Sequence, residues 1–217
     1  MKVDQFLTIE KKVVSSEELL NPYGFKEENV ISFNDIPTDY RGYVSVEDVI
    51  MKIVKQRFPI HYDLLCKEIL AVMDNIKVTT KVRKLVDYGI EILGNQIISK
   101  DNFLFPSGYE KIIPRQNNTR KIEYVYIEEL AEVMMMVLDK YIGVTKEALC
   151  LEVSRTYNYN RITQNISSAL DNAFEFLLEN GKIKVLDDKV IKLDSCKNLL
   201  IEKKPLAKLF LAHPFEK

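Results

Sequence analysis

The sequence predicts an α+β, mostly α-helical fold in which one arrangement of elements is used twice. Residues 46–105 align with residues 130–193 when the chain is shifted by the spacing of Cys66 and Cys150. In both stretches apolar residues recur at helical spacing and then give way to two short alternating runs. Self-similarity of this kind is typical of duplicated supersecondary units. A chain of 217 residues has room for about one or two domains, so two small ones are expected.

Identical residues at matching positions support the repeat. The alignment needs no gap between residues 46 and 93, which chance rarely produces. The identical pairs are Val49 and Val133, Met51 and Met135, Leu65 and Leu149, Glu68 and Glu152, Thr79 and Thr163, Asp87 and Asp171, Glu91 and Glu175, and Leu93 and Leu177.

Residues 1–45 are predicted to form an N-terminal arm or a strand-bearing flank. Two short apolar runs, 6–9 and 13–14, indicate extended pieces. Pro22 and Gly24 mark a turn between these runs and the first repeat.

Helical spacing in the first repeat predicts three helices. Ser45 stands where an N-cap accepts backbone N–H bonds, directly before the apolar residues of the first helix. Pro59 ends that helix, and a second one begins at about Asp63. The third helix is predicted from residues that fall on one side, namely Val78, Val82, Leu85, Val86, Gly89 and Leu93.

The period then changes to that of strands. Residues 96–99 and 103–105 predict a two-stranded hairpin that turns at Lys100, Asp101 and Asn102. Three helices followed by a hairpin is the order of a winged helix, a helix-turn-helix variant with a β wing. The first winged-helix repeat is therefore assigned to residues 46–106.

A linker with extended character is predicted for residues 107–126. It carries the basic residues Arg115, Arg120 and Lys121. Two alternatives are open for them: solvated side chains, or a functional basic segment.

The second winged-helix repeat is assigned to residues 127–193. Its third helix is expected to end near Asn180 and Gly181, and its wing turns at Asp187 and Asp188. The inner face of that helix is predicted to consist of Ile162, Ile166, Ala169, Leu170, Ala173 and Leu177. The tail, residues 194–217, is predicted to form a short helix from Pro205 that docks on the body.

The exposed side of the third helix decides whether nucleic acid is a plausible ligand, because a helix-turn-helix module inserts the N-terminal part of that helix into the major groove. Side chains that reach phosphates or base edges are concentrated there. In the first repeat they are Lys77, Thr80, Lys81, Arg83 and Lys84, and in the second Arg161, Gln164, Asn165, Ser167 and Ser168. The wing residues Lys100, Lys182, Lys184 and Lys189 add possible backbone contacts.

Acidic residues on the same arcs favour the alternative of a solvated helix face with mixed charge. Asp87 and Asp171, with Glu91 and Glu175 one turn on, are expected to repel phosphates. The formal net charge is −1 and the pI about 6.2, so DNA contacts must be local.

No catalytic, cofactor or metal site is predicted. The two histidines, His61 and His213, lie in unrelated contexts, and no Gly-rich phosphate loop occurs. Cys66 and Cys150 are expected to be small buried hydrophobes, and three cysteines without metal-ligand spacing fit a reducing cytoplasm. Neither a signal peptide nor a membrane helix is predicted. Met134 to Met136 are expected to fill the core, with an adaptable surface as the alternative.

Several short motifs occur in a fixed order through both repeats. They are Asp48-Val49-Ile50, Phe58-Pro59-Ile60, Phe103-Leu104-Phe105-Pro106, Pro114-Arg115, Arg120-Lys121-Ile122, Ile127-Glu128-Glu129-Leu130-Ala131, Tyr157-Asn158-Tyr159-Asn160-Arg161-Ile162 and Leu177-Leu178-Glu179-Asn180-Gly181-Lys182-Ile183. In this order they resemble a bacterial domain of unknown function found at the C-terminus of superfamily I DNA helicase-like proteins. The resemblance implies a DNA-processing or defence context in which a helicase motor or nuclease supplies the chemistry. This chain lacks the motor, and Arg161 matches a basic position of the family.

Two functions follow as hypotheses. The first is a non-catalytic tandem winged-helix accessory module that binds DNA and is associated with a helicase or nuclease partner. The second is a protein-interaction scaffold that contacts a helicase, or another copy of the chain, without touching nucleic acid.

Overall fold

The computed structural model describes residues 44–72, 77–115, 120–141 and 143–193, with residues 25, 26, 31, 32, 34, 36, 38 and 39. Most of the predicted N-terminal arm and the whole predicted tail lie outside these residues. In the described part of the chain, six α-helices and five short strands form an α+β, mostly helical structure, as predicted.

Two groups of elements follow one another along the chain. The first unit (residues 44–106) contains α1 Val46–Arg57, β1 Ile60–His61, α2 Tyr62–Val72, α3 Thr80–Leu93, β2 Ile97–Lys100 and β3 Phe103–Pro106. The second unit (residues 120–193) contains α4 Ile127–Leu138, α5 Lys146–Thr156, α6 Gln164–Glu179, β4 Ile183–Leu186 and β5 Lys189–Lys192. Short 3-10 turns occupy Gly94–Gln96 and Ile122–Tyr124.

Side-chain caps begin four of the helices. Ser45 accepts the backbone N–H of Asp48 at the start of α1, as predicted. Thr79 and Thr163 accept the N–H of the residue three positions on, both at 3.4 Å, and so cap α3 and α6. Thr145 caps α5 in the same way. Each bond satisfies one of the N–H groups that have no partner inside the helix.

The predicted end of α6 is confirmed. Gly181 has a φ of +61°, the left-handed conformation that favours glycine. Its N–H donates to the Leu178 carbonyl at 3.0 Å, and the Lys182 N–H donates to the Leu177 carbonyl at 2.9 Å. These two bonds form a Schellman motif, which closes the helix and directs the chain into β4.

Both predicted hairpins form. β2 pairs antiparallel with β3, and β4 pairs with β5. The two turn residues have positive φ in each hairpin: 51° and 63° at Asp101 and Asn102, 48° and 61° at Asp187 and Asp188. Turns of this type match the twist of the strands they join. Lys100, predicted as a turn residue, is instead the last residue of β2.

The sheet of the first unit has a third strand that the sequence did not predict. β1 pairs antiparallel with β3, with Ile60 opposite Leu104. Two residues are too few to show the alternation that identifies a strand, so only the packing of the folded chain reveals β1.

Each unit surrounds its own apolar core. Val82, Val86, Gly89 and Leu93 of α3 are buried as predicted, and so are Ile166, Leu170, Ala173 and Leu177 of α6. The prediction for Ile162 was wrong: its side chain is 41% exposed. Ile162 precedes the cap Thr163, where the chain is not yet helical, so the spacing of the inner face does not extend to it.

The predicted alignment holds for two of the three helices. α2 and α5 begin at residues 62 and 146, and α3 and α6 at 80 and 164, both 84 residues apart. α1 and α4 begin at 46 and 127, and β2 and β4 at 97 and 183. The ungapped alignment was therefore wrong for α1 and α4, because the loop after α4 is longer. A shift of three residues is close to one helical turn, so Val49 and Val133 are still both buried.

Candidate nucleic-acid interface

Three lysines predicted to contact DNA lie around the start of α3. Lys77, Thr80, Lys81 and Lys84 are all exposed. Lys81 and Lys84 are three residues apart, so their side chains are neighbours on the helix surface. Within the described residues no carboxylate pairs with Lys77, Lys81 or Lys84. Their ammonium groups are therefore available to an anion.

Arg83 is held by α2, although it belongs to the same predicted arc. Its guanidinium lies 2.9 Å from the Asp63 carboxylate and 5.6 Å from the centre of the Tyr62 ring. Because both contacts are to α2, they fix the angle between the second and third helices. Its side chain is 45% exposed, so the ion pair stays in contact with solvent.

The aspartates expected to repel phosphates also connect the second and third helices. The Tyr62 hydroxyl donates to Asp87 at 2.7 Å, and Lys146 lies 2.8 Å from Asp171. Burial and the bond to Asp87 raise the pKa of Tyr62. Lys146 neutralises Asp171, whereas Tyr62 leaves the charge of Asp87 in place. Lys146 also lies 4.0 Å from Glu175, so the negative charge without a cation on these arcs comes mainly from Asp87 and Glu91.

The corresponding arc of α6 carries little positive charge. Arg161, Gln164, Asn165 and Ser168 are exposed, and Ser167 is partly buried. The Asn165 amide donates to Glu123 at 3.0 Å, which ties α6 to the 3-10 turn Ile122–Tyr124. Arg161 is thus the only cation among these predicted positions.

The two wings also differ. Lys100 lies 3.4 Å from the Glu128 carboxylate and 5.6 Å from the centre of the Tyr126 ring, so it connects β2 to the second unit. The hydrogen bond to Tyr126 raises the pKa of Lys100 to about 12. Lys182, Lys184 and Lys189 of the second wing are exposed. The second wing is therefore better placed than the first to contact a phosphate backbone.

Two basic residues of the linker, Arg115 and Arg120, are buried, so the alternative of solvated side chains was wrong for them, and the functional alternative stays a prediction. The Arg120 guanidinium forms two bonds to the Glu129 carboxylate, at 2.7 and 3.1 Å, and the Glu129 side chain is fully buried. The Arg115 backbone N–H also donates to Glu129, and its guanidinium donates to the Pro59 carbonyl at 2.9 Å. Lys111 and Lys121, the other basic residues of the linker, are exposed. The linker thus contacts both units through buried polar bonds.

An aromatic cluster reinforces the contact between the units. Tyr126, just before α4, lies 5.0 Å from Phe103 and 5.1 Å from Phe105 between ring centres. Tyr109 of the linker stacks on Phe105 at 5.0 Å. Aromatic pairs at these distances contribute about 0.5–1.5 kcal/mol each beyond the area they bury. The hairpin β2–β3 is therefore packed against the start of the second unit.

Two cavities lie in the second unit. One, of about 460 Å³, is lined by α4 and α6 and includes Met135 and Met136. Met134 is fully buried, so the predicted core role is confirmed for that methionine only. The other cavity, of about 350 Å³, lies between α5 and α6 and includes Cys150.

The cysteines follow the prediction in part. Cys66 is fully buried and Cys150 is partly buried, and both are free thiols. Burial raises the pKa of Cys150 to about 11. Among the described residues, no group of three or more histidine, cysteine or acidic side chains is arranged to hold a metal ion. None of the helices in the described ranges is long and apolar enough to cross a membrane.

Comparison of the chain with protein-family models, with curated proteins and with solved structures found no match.

Proposed function

We propose that the chain is a non-catalytic accessory module of two winged helices, related by duplication, that binds duplex or branched DNA through the start of α3. The observation that carries the proposal is a group of exposed lysines, Lys77, Lys81 and Lys84, that have no carboxylate partner in the part of the chain that the structure describes. Lysines in such a group neutralise phosphates and release counterions, which favours binding even when the net charge is near zero.

The contacts between α2 and α3 support this assignment. The Tyr62–Asp87 and Arg83–Asp63 interactions hold α3 against α2 in the first unit. Inserting a helix into the major groove requires such a fixed support, because the helix must keep its angle while its N-terminal residues reach the bases. In this proposal Arg83 supports the helix and the three lysines contact the DNA.

The second unit makes a smaller contribution to the same surface. Arg161 and Gln164 lie at the start of α6, and Lys182 and Lys184 lie on the second wing. With Lys189 the wing has three exposed lysines, and together with Arg161, just before α6, they favour contacts to the phosphate backbone over base recognition. The role of the second unit is to extend the footprint.

A helicase or nuclease partner completes the proposal. The motifs that resemble the helicase-associated domain family run through both units, and relatives of that family accompany a DNA motor. The motor or nuclease then supplies the chemistry, and this chain positions it on DNA. No cofactor is required for that role.

The triple substitution Lys77→Glu, Lys81→Glu and Lys84→Glu tests the assigned surface. Anisotropy of labelled duplex, forked and single-stranded DNA at two salt concentrations is expected to show at least a tenfold loss of affinity and a shallower salt dependence, about one counterion per lysine lost. A control variant changes three other exposed lysines, Lys55, Lys111 and Lys121, to glutamate and so alters the net charge equally. Equal losses in the two variants, or none in the first, would refute the assigned surface.

A second candidate function is a protein-interaction scaffold, and one observation favours it. Tyr88 and Ile92, one and two turns beyond Lys84 on α3, are 58% and 48% exposed. Exposed apolar residues next to one another are typical of contact surfaces. Co-purification with a motor protein that is lost in Tyr88→Ser, together with no DNA binding at low salt, would favour the scaffold.

A further inference from the structure

The cavity between α5 and α6, called the α5–α6 cavity below, has an apolar floor and a charged rim. Cys150, Ile162 and Leu170 are its apolar components. Lys146, Glu147, Ser167 and Asp171 supply its polar groups. Its volume of about 350 Å³ is within the range of sites that hold a side chain or a small ligand.

The same seven positions exist in the first unit, each 84 residues earlier. They are occupied by Tyr62, Asp63, Cys66, Val78, Arg83, Val86 and Asp87. These positions correspond in the structure, because α2 and α5 begin 84 residues apart and so do α3 and α6.

In the first unit this place holds the ring of Tyr62. The Tyr62 hydroxyl donates to Asp87 at 2.7 Å and also approaches the Arg83 carbonyl at 3.3 Å. The Arg83 guanidinium covers the ring and pairs with Asp63. The first unit therefore shows which group fits between the second and third helices: a phenol, with a guanidinium above it.

The second unit keeps the receiving groups and lacks the ring. Cys150 and Asp171 are identical to Cys66 and Asp87, and Glu147 replaces Asp63 with the same charge. The ring is replaced by Lys146, whose ammonium lies 2.8 Å from Asp171 and 4.7 Å from the centre of the Phe174 ring. Ser167 replaces Arg83, so no guanidinium from that position reaches Glu147.

We infer that the α5–α6 cavity is a docking site for a tyrosine side chain, flanked by a basic residue, that a partner protein presents. The tyrosine ring lies in the cavity beside Lys146, between the second and third helices as Tyr62 does in the first unit, and its hydroxyl donates to Asp171. The second oxygen of Asp171 is available to it, because among the described residues that oxygen accepts a bond from the Ser167 hydroxyl alone, at 3.5 Å. The flanking cation takes the place of Arg83 and pairs with Glu147. This inference does not depend on DNA binding by α3.

The test uses p-cresol, which is the tyrosine side chain by itself, with the full-length ¹⁵N-labelled chain. Amide shifts on titration into the millimolar range are expected to concentrate at Cys150, Ile162 and Ser167. Toluene, which has the same ring without the hydroxyl, is expected to bind at least tenfold more weakly, since it cannot donate a hydrogen bond to the second oxygen of Asp171. Shifts confined to other residues, no shifts, or equal binding of toluene would overturn the inference.

Lys146→Tyr closes the site from within, as Tyr62 does in the first unit. It is expected to reduce p-cresol affinity by at least about tenfold, while DNA affinity is unchanged. Lys146→Met is the matched control, because it removes the ammonium without adding a ring, and it is expected to bind p-cresol nearly as the natural chain does. If Lys146→Tyr does not fold, Cys150→Leu provides a second closure, because the larger side chain fills the apolar floor of the cavity. Full binding by the closed variant, or equal loss in the control, would overturn the inference.

The pairing of the flanking cation with Glu147 is tested separately, with two dipeptides that differ in charge. The blocked dipeptide arginyl-tyrosine amide is expected to bind more tightly than glutamyl-tyrosine amide, and Glu147→Gln is expected to abolish that difference. A preference for the glutamyl peptide would contradict the assigned role of Glu147.

Discussion

The two units share their element order and differ in what their second and third helices present. Both third helices begin at a capping threonine, and both hairpins turn through two residues of positive φ. Yet α3 carries lysines where α6 carries mostly neutral side chains, and the ring of Tyr62 lies where the second unit has a cavity. The shared features lie in caps, turns and core, and the differences lie on the surface. The two units therefore present different surfaces on a similar arrangement of helices and hairpin.

The segment between the units is not part of either repeat. Arg115 and Arg120 converge on Glu129 in the second unit, and Arg115 also reaches Pro59 in the first. A carboxylate removed from water in this way needs its cations, because its desolvation is offset only by close pairing. The units are therefore joined by a contact for which the repeat itself has no counterpart.

The largest expected effect comes from breaking that contact. Arg120→Ala leaves Glu129 buried without its bidentate partner and is expected to lower the free energy of unfolding by about 3–5 kcal/mol. Urea denaturation followed by circular dichroism measures the change. The neighbouring Lys121→Ala, at an exposed position, is the control and is expected to shift stability by less than about 0.5 kcal/mol. Similar stabilities for the two variants would contradict the burial of the Arg120–Glu129 pair.

Transferring the lysines sharpens the comparison of the two surfaces. Asn165→Lys with Ser168→Lys places cations on α6 at the positions that match Lys81 and Lys84. Two additional phosphate contacts are expected to raise DNA affinity by about tenfold at low salt and to steepen its salt dependence. Anisotropy at several salt concentrations measures both quantities. No gain would mean that α6 does not face the DNA that α3 binds.

The helix packing of the two units differs at one matched position. Gly89 of α3 corresponds to Ala173 of α6, and a Cβ at Gly89 would lie 2.5 Å from the Ile50 side chain. Gly89→Ala is expected to cost about 1–2 kcal/mol of stability, because overpacking outweighs the better helix propensity of alanine. Ala173→Gly is expected to lower the free energy of unfolding by about 1 kcal/mol, because glycine has a lower helix propensity than alanine and the methyl contact is lost. Stabilisation by Gly89→Ala would show that α1 and α3 are not in close contact.

The smallest expected effect concerns the threonine caps that begin the third helix of both units. Thr79→Ala and Thr163→Ala each remove one capping bond and are expected to cost about 1 kcal/mol apiece. Thermal unfolding of both variants measures this, with the solvent-exposed Thr80→Ala as the control. Clearly unequal costs for Thr79 and Thr163 would show that the two caps are not equivalent.

Local signals in the sequence predicted much of the fold. Ser45 and Gly181 mark helix ends that the structure confirms, and Asp187 and Asp188 mark a hairpin turn. The sequence could not distinguish a solvated helix face from a DNA-binding face, because lysines recur at the same helical spacing in both. Arg83 could be separated from the candidate lysines only when the structure showed that it pairs with Asp63.

By itself, the sequence determined which stretches form helices and hairpins and most of the buried helix positions, because caps, turn residues and apolar periodicity act over a few neighbouring residues. The tertiary structure alone decided that Arg120 is buried against Glu129, that β1 joins the sheet, and that Tyr62 fills a site which is open between α5 and α6. These features join residues that are distant in the chain. A charged side chain or a tyrosine hydroxyl stays solvated unless a partner compensates for its desolvation, and only the folded chain brings a distant partner into contact.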